Sequence, residues 1–274
     1  MHARFQTRVQ RYGWDLAADD YEPLWAAQLA GVQRGLIAAA ALAPGEQVLD
    51  VACGTGQVTF QAAAAVGDQG GVLGVDLSQR MVEAAQRGSL RLALQNTRFA
   101  RMDAAQLALP DERFDVALCS LGLMYLPDPL QALREMRRVL RPGGRLVLSV
   151  WGERSRCGWA PLFEIVDAEV ASEVCPLFFG LGRHDALARL CADAGLADAL
   201  HQRQAATLVY ADGAEACRAA FVGGPVALAW SRFPEEVRVR VCERYLQSLS
   251  AWQDGAGYRV PAEFLIVTAS TPDY

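Results

Sequence analysis

The stretch Val48-Leu49-Asp50-Val51-Ala52-Cys53-Gly54-Thr55-Gly56-Gln57-Val58 constrains this chain more than any other part of it. A short apolar run with an acid in it leads into a glycine-rich turn, and the alanine-rich residues 60–66 read as a helix behind that turn. Strand, tight turn and helix in this order open a nucleotide-binding β-α-β unit, whose ligand lies over the turn. Gly54 and Gly56 carry no Cβ, so the backbone there can take positive φ and come close to a ligand. An ordinary strand-to-helix turn can also hold two glycines, so the weight falls on the next apolar run. Val72-Leu73-Gly74-Val75-Asp76 is that second run, and it too ends in an acid. It comes about twenty residues later, where a carboxylate can receive a ribose diol. Each carboxylate oxygen can accept from one hydroxyl. The dinucleotide fingerprint asks for a third glycine three places after the second, and Thr59 stands there instead. An acid, Asp50, sits four places before the first glycine.

With these residues in view, Asp50 to Gly56 resembles motif I of class I S-adenosylmethionine-dependent methyltransferases. Asp76-Leu77-Ser78 with Met81 resembles their second motif, and Met102-Asp103-Ala104 their adenine-binding motif. Phe114-Asp115-Val116 through Pro127-Asp128 resembles the fourth-strand motif, and residues 140–146 the turn into the fifth strand. The chain is most similar to the small-molecule methyltransferases of the ubiquinone/menaquinone-biosynthesis type, densely over residues 45–150 and loosely elsewhere. The resemblance implies an α/β fold: a Rossmann-like, mostly parallel sheet of seven strands in the order 3-2-1-4-5-7-6. The last strand would be antiparallel, with helices on both faces.

That family's cofactor is S-adenosylmethionine, released as S-adenosylhomocysteine, and the resemblance distributes its parts over the motifs. Asp76 would take the ribose hydroxyls, and Asp103 the adenine amino group, with the backbone at Ala104 at the ring edge. Leu77, Met81 and Met102 would sandwich the ring. Ala52, Gly54 and Gly56 would let the backbone approach the methionine end, braced by Asp50 and met by Ser120. An N-terminal helical segment would close over the cofactor, with Tyr21 and Trp25 as its contacts; the same aromatics could equally pack the helix onto the core.

Methyl transfer is an in-line displacement at an already activated carbon, so positioning and exclusion of water carry most of it. A base is needed only where the acceptor must lose a proton. Where relatives often carry histidines after the fourth strand, this chain has Met124 and Tyr125. The catalytic residue is therefore open; Tyr125 and His184 are the candidates, with Glu153 behind them, and His2 is set aside as terminal. Trp151, Trp159, Phe163, Phe178, Phe179, Phe221 and Trp230 would line an apolar or aromatic acceptor site if the C-terminal half covers it. Other readings stay open: a non-catalytic S-adenosylmethionine-binding or regulatory protein, and a nicotinamide-dependent oxidoreductase.

Composition narrows these further. The 274 residues suit one large α/β domain. It divides into an N-terminal helical cap (1–44), a cofactor core (45–151) and a substrate-side half (152–274), with a helical insertion at 212–257. All 26 basic residues are arginines. The absence of lysine excludes a Walker-type phosphate loop, a pyridoxal Schiff base and a Tyr-Lys dehydrogenase pair. A net charge of -5 argues against a nucleic-acid partner. The basic run at 134–141 reads as a solvated helix face. Seven cysteines without a Cys-x-x-Cys pair indicate neither a disulfide frame nor a metal site. No stretch has the apolar length of a membrane span. The expectation is a cytoplasmic monomer or homodimer acting on a small-molecule acceptor.

Overall fold

The computed structural model describes residues 3–170 and 178–273; His2 lies outside them. The chain opens with α1 (Ala3–Ala40), a helix of 38 residues. The apolar pattern alone marks a helix from about residue 29 and the resemblance implies a helical cap over 1–44; the structure has one helix from Ala3 to Ala40. One face explains this: Thr7, Gln10, Trp14, Tyr21, Trp25 and Leu29 recur at helical spacing and all border internal cavities. Pro23 lies inside α1. It removes one backbone donor, and two side chains within the next turn and a half tie the helix to the rest of the fold. The Trp25 indole donates to the Ala219 carbonyl (3.2 Å), and the Gln28 amide both donates to and accepts from the Val209 backbone. The helix stops where Ala41 turns to positive φ, ahead of Pro44 and Gly45.

Next come β1 (Gln47–Val51), α2 (Gln57–Val66), β2 (Gly71–Asp76), α3 (Gln79–Arg91) and β3 (Thr97–Arg101). After them the chain forms β4 (Phe114–Ser120), α4 (Pro129–Val139) and β5 (Leu140–Trp151). Local chemistry sets several of these boundaries. Ser78 caps α3, its hydroxyl accepting from Met81 N (3.1 Å). Asp128 caps α4 by accepting from Gln131 N (2.9 Å), with Pro129 in the first turn. The Gln131 side chain donates to the Ala105 carbonyl (3.3 Å), tying α4 to the loop after β3. The turn at 142–144 is a bulge within β5: the pairing shifts between Phe114↔Leu140 and Val116↔Arg145, and Gly143 takes φ 68. The basic run at 134–141 is used internally, since Arg138 pairs with Glu135 and Asp111 and Arg141 pairs with Asp115.

The second half holds α5 (Pro161–Asp167), α6 (Ala186–Asp193), β6 (Ala197–Tyr210), α7 (Gly213–Phe221), α8 (Ala227–Arg232) and α9 (Glu235–Ser248). A two-residue strand β7 (Gln253–Asp254) folds back on β8 (Gly257–Ser270). Among the described residues the strand order is β3-β2-β1-β4-β5-β8-β6. β1 to β5 pair in parallel, and β8 runs antiparallel to both β5 and β6. This is the Rossmann-like order expected, with β8 in the place of the seventh strand. The strand order reverses between β1 and β4, so a crevice opens at the carboxyl ends of these strands. Asp50, Asp76 and Ser120 lie at those ends, and Asp103 just past β3. Over residues 212–257, Phe221 stacks on Trp230 (4.9 Å) and meets Tyr245 edge-on (5.6 Å). No described helix is long and apolar enough to cross a membrane.

The two ends of α1 differ in what they bury. Leu36 is fully buried and Leu16 is half exposed. Leu36→Ala is expected to cost about 2–5 kcal/mol in denaturant unfolding, as a cavity in a packed core does. Leu16→Ala should stay within about 0.5 kcal/mol.

Candidate functional site

The turn after β1 is built on left-handed backbone. Ala52 (φ 57), Gly54 (φ 53) and Gly56 (φ 91) all adopt it. At Gly56 the need is steric as well, because a Cβ would lie 2.6 Å from Phe60 Cζ and 3.1 Å from Ala85 Cβ. At Gly54 the nearest atom to such a Cβ would be Tyr21 Cε1 at 4.0 Å, so there the backbone angle alone demands glycine. Ala52 lacks that freedom, and its positive φ is strain of the kind that functional sites hold in place.

Asp76 joins this turn to the next. Its Oδ2 accepts from Gly54 N (2.9 Å) and its Oδ1 from Ser78 N (2.8 Å). Burial pushes the carboxyl above its ordinary range, while the backbone N–H groups of Ser78, Gly54 and Leu77 oppose the shift by favouring the charged form. Each oxygen keeps a further lone pair for a ligand hydroxyl. Ser78 in turn donates to Asp15 Oδ1 on α1 (2.6 Å), and Arg80 pairs with Asp19 (2.6 Å) on the same helix. The first half of α1 is thereby latched along the edge of the crevice.

The crevice, taken out to open solvent, spans about 890 Å³. Of the residues expected at a cofactor, Ala52, Gly54, Asp76, Leu77, Met81, Met102, Asp103, Ala104, Ser120 and Tyr21 line it, together with Tyr125. Asp103 Oδ1 accepts from Ala105 N (2.9 Å), which fixes the carboxylate at the mouth. Thr7, Gln10 and Trp14 of α1 also line it, beyond what sequence reasoning assigned. Their spacing with Tyr21 was the available signal, since all four fall on one helix face. Trp14 meets Tyr21 edge-on (5.8 Å) and Tyr125 likewise (5.1 Å).

Two smaller spaces adjoin it. A slot of about 360 Å³ is bordered by Asp50, Gln33, Gly54, Thr55 and Ser120. Asp50 is buried, and its Oδ2 accepts from Thr59 Oγ1 (2.6 Å), the residue at the third-glycine position. Its Oδ1 and the Thr55 hydroxyl have no partner among the described residues. Burial pushes the Asp50 carboxyl up to about 7; the Thr59 hydrogen bond opposes this and the Asp76 charge adds to it. A separate cavity of about 480 Å³ is walled by Trp14, Trp25, Trp151, Trp159, Phe178, Tyr125, Tyr245 and small or aliphatic residues. Tyr21 and Leu121 line all three spaces, and Leu121 also carries a left-handed backbone (φ 55).

Several expected residues fall elsewhere. Trp25 borders the apolar cavity rather than the crevice, because it lies one helical turn beyond Tyr21 and its indole is anchored to Ala219. Gly56 shapes the turn from behind and Asp50 faces the slot. His184 is not brought to the crevice at all. It is 87% exposed in its side chain and borders an outer cleft, 3.9 Å from Glu153, in an ion-pair cluster with Arg203 and Glu263. Glu153 lies with it. Trp151, Trp159 and Phe178 wall the apolar cavity, whereas Phe163, Phe179, Phe221 and Trp230 pack behind it. Cys119 is buried, and burial pushes its thiol up to about 12.

Residues 42–175 match the family described as "Methyltransferase domain". That stretch, just under half of the chain, is similar to a methyltransferase domain. The demethylmenaquinone methyltransferase of Listeria monocytogenes serotype 4a is 36% identical over 119 residues, which are 43% of this chain and 50% of that protein. The chain thus spans about half the length of the curated relatives it matches. Among solved structures, a putative methyltransferase from Bacillus halodurans C-125 aligns with TM-score 0.63 at 19% identity. That alignment covers 88% of this chain and 99% of that one. Haemonchus contortus phosphoethanolamine N-methyltransferase 2, in complex with S-adenosyl-L-methionine, aligns with TM-score 0.60 at 16% identity, over 94% and 57%. These two likenesses carry the fold.

The residues present suit S-adenosylmethionine, the cofactor that the sequence resemblance implies. The slot holds an unpaired buried carboxylate oxygen where an ammonium would be welcome, and the turn between slot and crevice presents no side chain at Gly54. Because the Asp50 carboxyl sits higher in the folded protein than in the unfolded chain, the stability it confers is complete below about pH 4 and lost as pH rises through about 7. Thermal melts of ligand-free protein across pH 4–8 should therefore show the native protein falling relative to Asp50→Asn as pH increases. Parallel curves would remove the shift.

Proposed function

We propose that this protein methylates a small, neutral, aromatic or apolar acceptor from S-adenosylmethionine. The observation that carries this reading is the convergence of three spaces at Tyr21 and Leu121: a crevice with two carboxylates, a slot with a third, and a wholly uncharged aromatic cavity. The bound cofactor supplies an electrophilic methyl group on a sulfonium. Asp76 and Asp103 would hold the two ends of its adenosine, and Asp50 with Thr55 would hold the ammonium of its amino-acid end. The aromatic faces of Trp14, Tyr21 and Tyr125 surround the junction and suit a cation there.

The rest is positioning and dryness. α1 covers the crevice, and the apolar cavity meets it across Tyr21 and Leu121, so the acceptor would be presented where water is excluded. No carboxylate or histidine lines the apolar cavity among the described residues. The Tyr21 and Tyr245 hydroxyls are pushed well up by burial, which disfavours the phenolate a base would need. The acceptor therefore attacks as a neutral nucleophile, and the methylated product would lose its proton to solvent after leaving the cavity. The similarity of the demethylmenaquinone methyltransferase named above, over 119 residues, supports an acceptor with a ring.

Asp76→Ala should lower affinity for S-adenosylhomocysteine tenfold or more in calorimetric titration, with the circular dichroism spectrum retained. Unchanged affinity would take Asp76 out of the site. Tyr125→Phe should leave turnover within about threefold, as expected of a wall residue; a loss of a hundredfold at constant cofactor affinity would give it a chemical role. The reading as a whole is tested by supplying methyl-labelled S-adenosylmethionine with a panel of phenols, quinols and aryl thiols. Formation of no labelled product with any of them, despite tight cofactor binding, would favour a binding protein without turnover.

A further inference from the structure

Cys217 on α7 and Cys242 on α9 meet where the two helices pack, and nothing in methyl transfer uses them. The helices run antiparallel along this seam. A Cβ at Gly213 would lie 3.0 Å from Leu246 Cδ1, and Cys217, one turn on, meets Cys242, one turn back. Phe221, a turn further along α7, sits edge-on against Tyr245 of α9 (5.6 Å). The Cys217 thiol donates to the Cys242 carbonyl (4.0 Å) and lies within hydrogen-bond reach of the Cys242 sulfur. The other described cysteines are of a different kind. Cys53, Cys119, Cys157 and Cys191 are buried, and burial pushes each thiol above its ordinary range. Cys217 and Cys242 are only partly buried. The hydrogen bond from Cys217 holds the Cys242 thiol below its ordinary range, and the same contact pushes Cys217 up.

We propose that Cys217 and Cys242 are a site of reversible oxidation: a small-molecule disulfide joins them, and the bond clasps α7 to α9 beside the apolar cavity. The step balances as thiol-disulfide exchange. The Cys242 thiolate attacks one sulfur of glutathione disulfide, forms a mixed disulfide and releases one glutathione thiolate. Cys217 then gives up its proton to that thiolate and attacks the Cys242 sulfur, expelling the second glutathione. Two cysteine thiols are oxidised by two electrons, and one glutathione disulfide is reduced to two thiols. The order follows from the pair itself, since the thiol that receives the hydrogen bond is the better attacker and the donor resolves. Ala220 of α7 and Tyr245 of α9, each three residues past its cysteine, both wall the apolar cavity. Among the described residues neither helix lines the crevice. The bond would therefore fix two walls of the cavity against each other and leave the crevice as it is. Through Trp25 on the Ala219 carbonyl and Arg218 on Asp20, α7 already holds α1, so three helices would be joined around the cavity. None of this depends on the methyl-transfer reading.

The test incubates the full chain, first reduced, with excess glutathione disulfide and maps its cysteines by peptide mass spectrometry. One bridge, Cys217 to Cys242, should appear and be reversed by dithiothreitol. The oxidised protein should melt about 5–10 °C above the reduced one, because the bond restricts the unfolded chain. Amide hydrogen exchange should slow over residues 213–248 and stay the same over residues 50–57. Cys217→Ser should stop at a single glutathione held on Cys242, whereas Cys242→Ser should take up glutathione at Cys217 about tenfold more slowly. The mapping and the melts use the native sequence, so they decide the matter even where a serine variant fails to fold. The proposal is overturned by no bridge, by a bridge to any other cysteine or between two copies, or by an unchanged melting temperature. Unchanged exchange over residues 213–248, or equal rates of adduct formation in the two variants, would overturn it as well.

Discussion

The hydrogen bonds that Asp76 accepts from Gly54 N and Ser78 N hold the site in one piece. They join the turn after β1 to the turn after β2, so two loops that would otherwise move apart present their backbones side by side. The bonds also reconcile a conflict, because a carboxylate this deeply buried is unfavourable unless N–H groups stabilise its charge. From Ser78 the chain of contacts continues to Asp15, so the same few atoms seat α1 across the opening. Turn geometry, carboxylate charge and cover are one coupled arrangement.

Around it, the sheet separates two chemistries. The carboxyl ends of β1, β2 and β4 gather acids and bare backbone, which suit a polar, multiply hydrogen-bonding ligand. The space between α1, the end of β5 and the helices of residues 212–257 gathers tryptophan, tyrosine and phenylalanine instead. Tyr21 and Leu121 stand between them. A fold alone does not name a reaction, but a polar crevice that opens onto an uncharged aromatic cavity restricts what can meet at the boundary.

The glycine turn and the Asp76 and Asp103 positions were legible in the sequence because each is local. A left-handed backbone favours glycine, and a strand end fixes where its acid points. The reach of α1 was legible only through the resemblance, because the polar and aromatic residues before Leu29 do not make a continuous apolar stripe. Their helicity comes from the cleft they cover and from contacts with Ser78, Val209 and Ala219, far away in the chain. Trp25 shows the same limit on a smaller scale. It shares a face with Tyr21, but one turn is about 5.4 Å along the axis, enough to place it in a different space. His184 was a candidate by residue type alone, and the ion pairs at Glu153 and Arg203 that place it outside depend on the pairing of β6 with β8.

Pro23 has a mechanical consequence. It interrupts the ladder of α1 where the carbonyl of Asp19 would otherwise be met by an amide. On one side the helix is anchored in the interior through Leu29, Val32 and Leu36; on the other it buries the smaller Ala17 and Ala18 and is tied by polar contacts of Asp15, Asp19 and Asp20 to Ser78, Arg80 and Arg218. A rod built this way has its weakest rung between a stem held by large apolar side chains and an arm held by small and polar ones. Traffic into and out of the crevice would find least resistance by flexing that arm, leaving the β-sheet undisturbed.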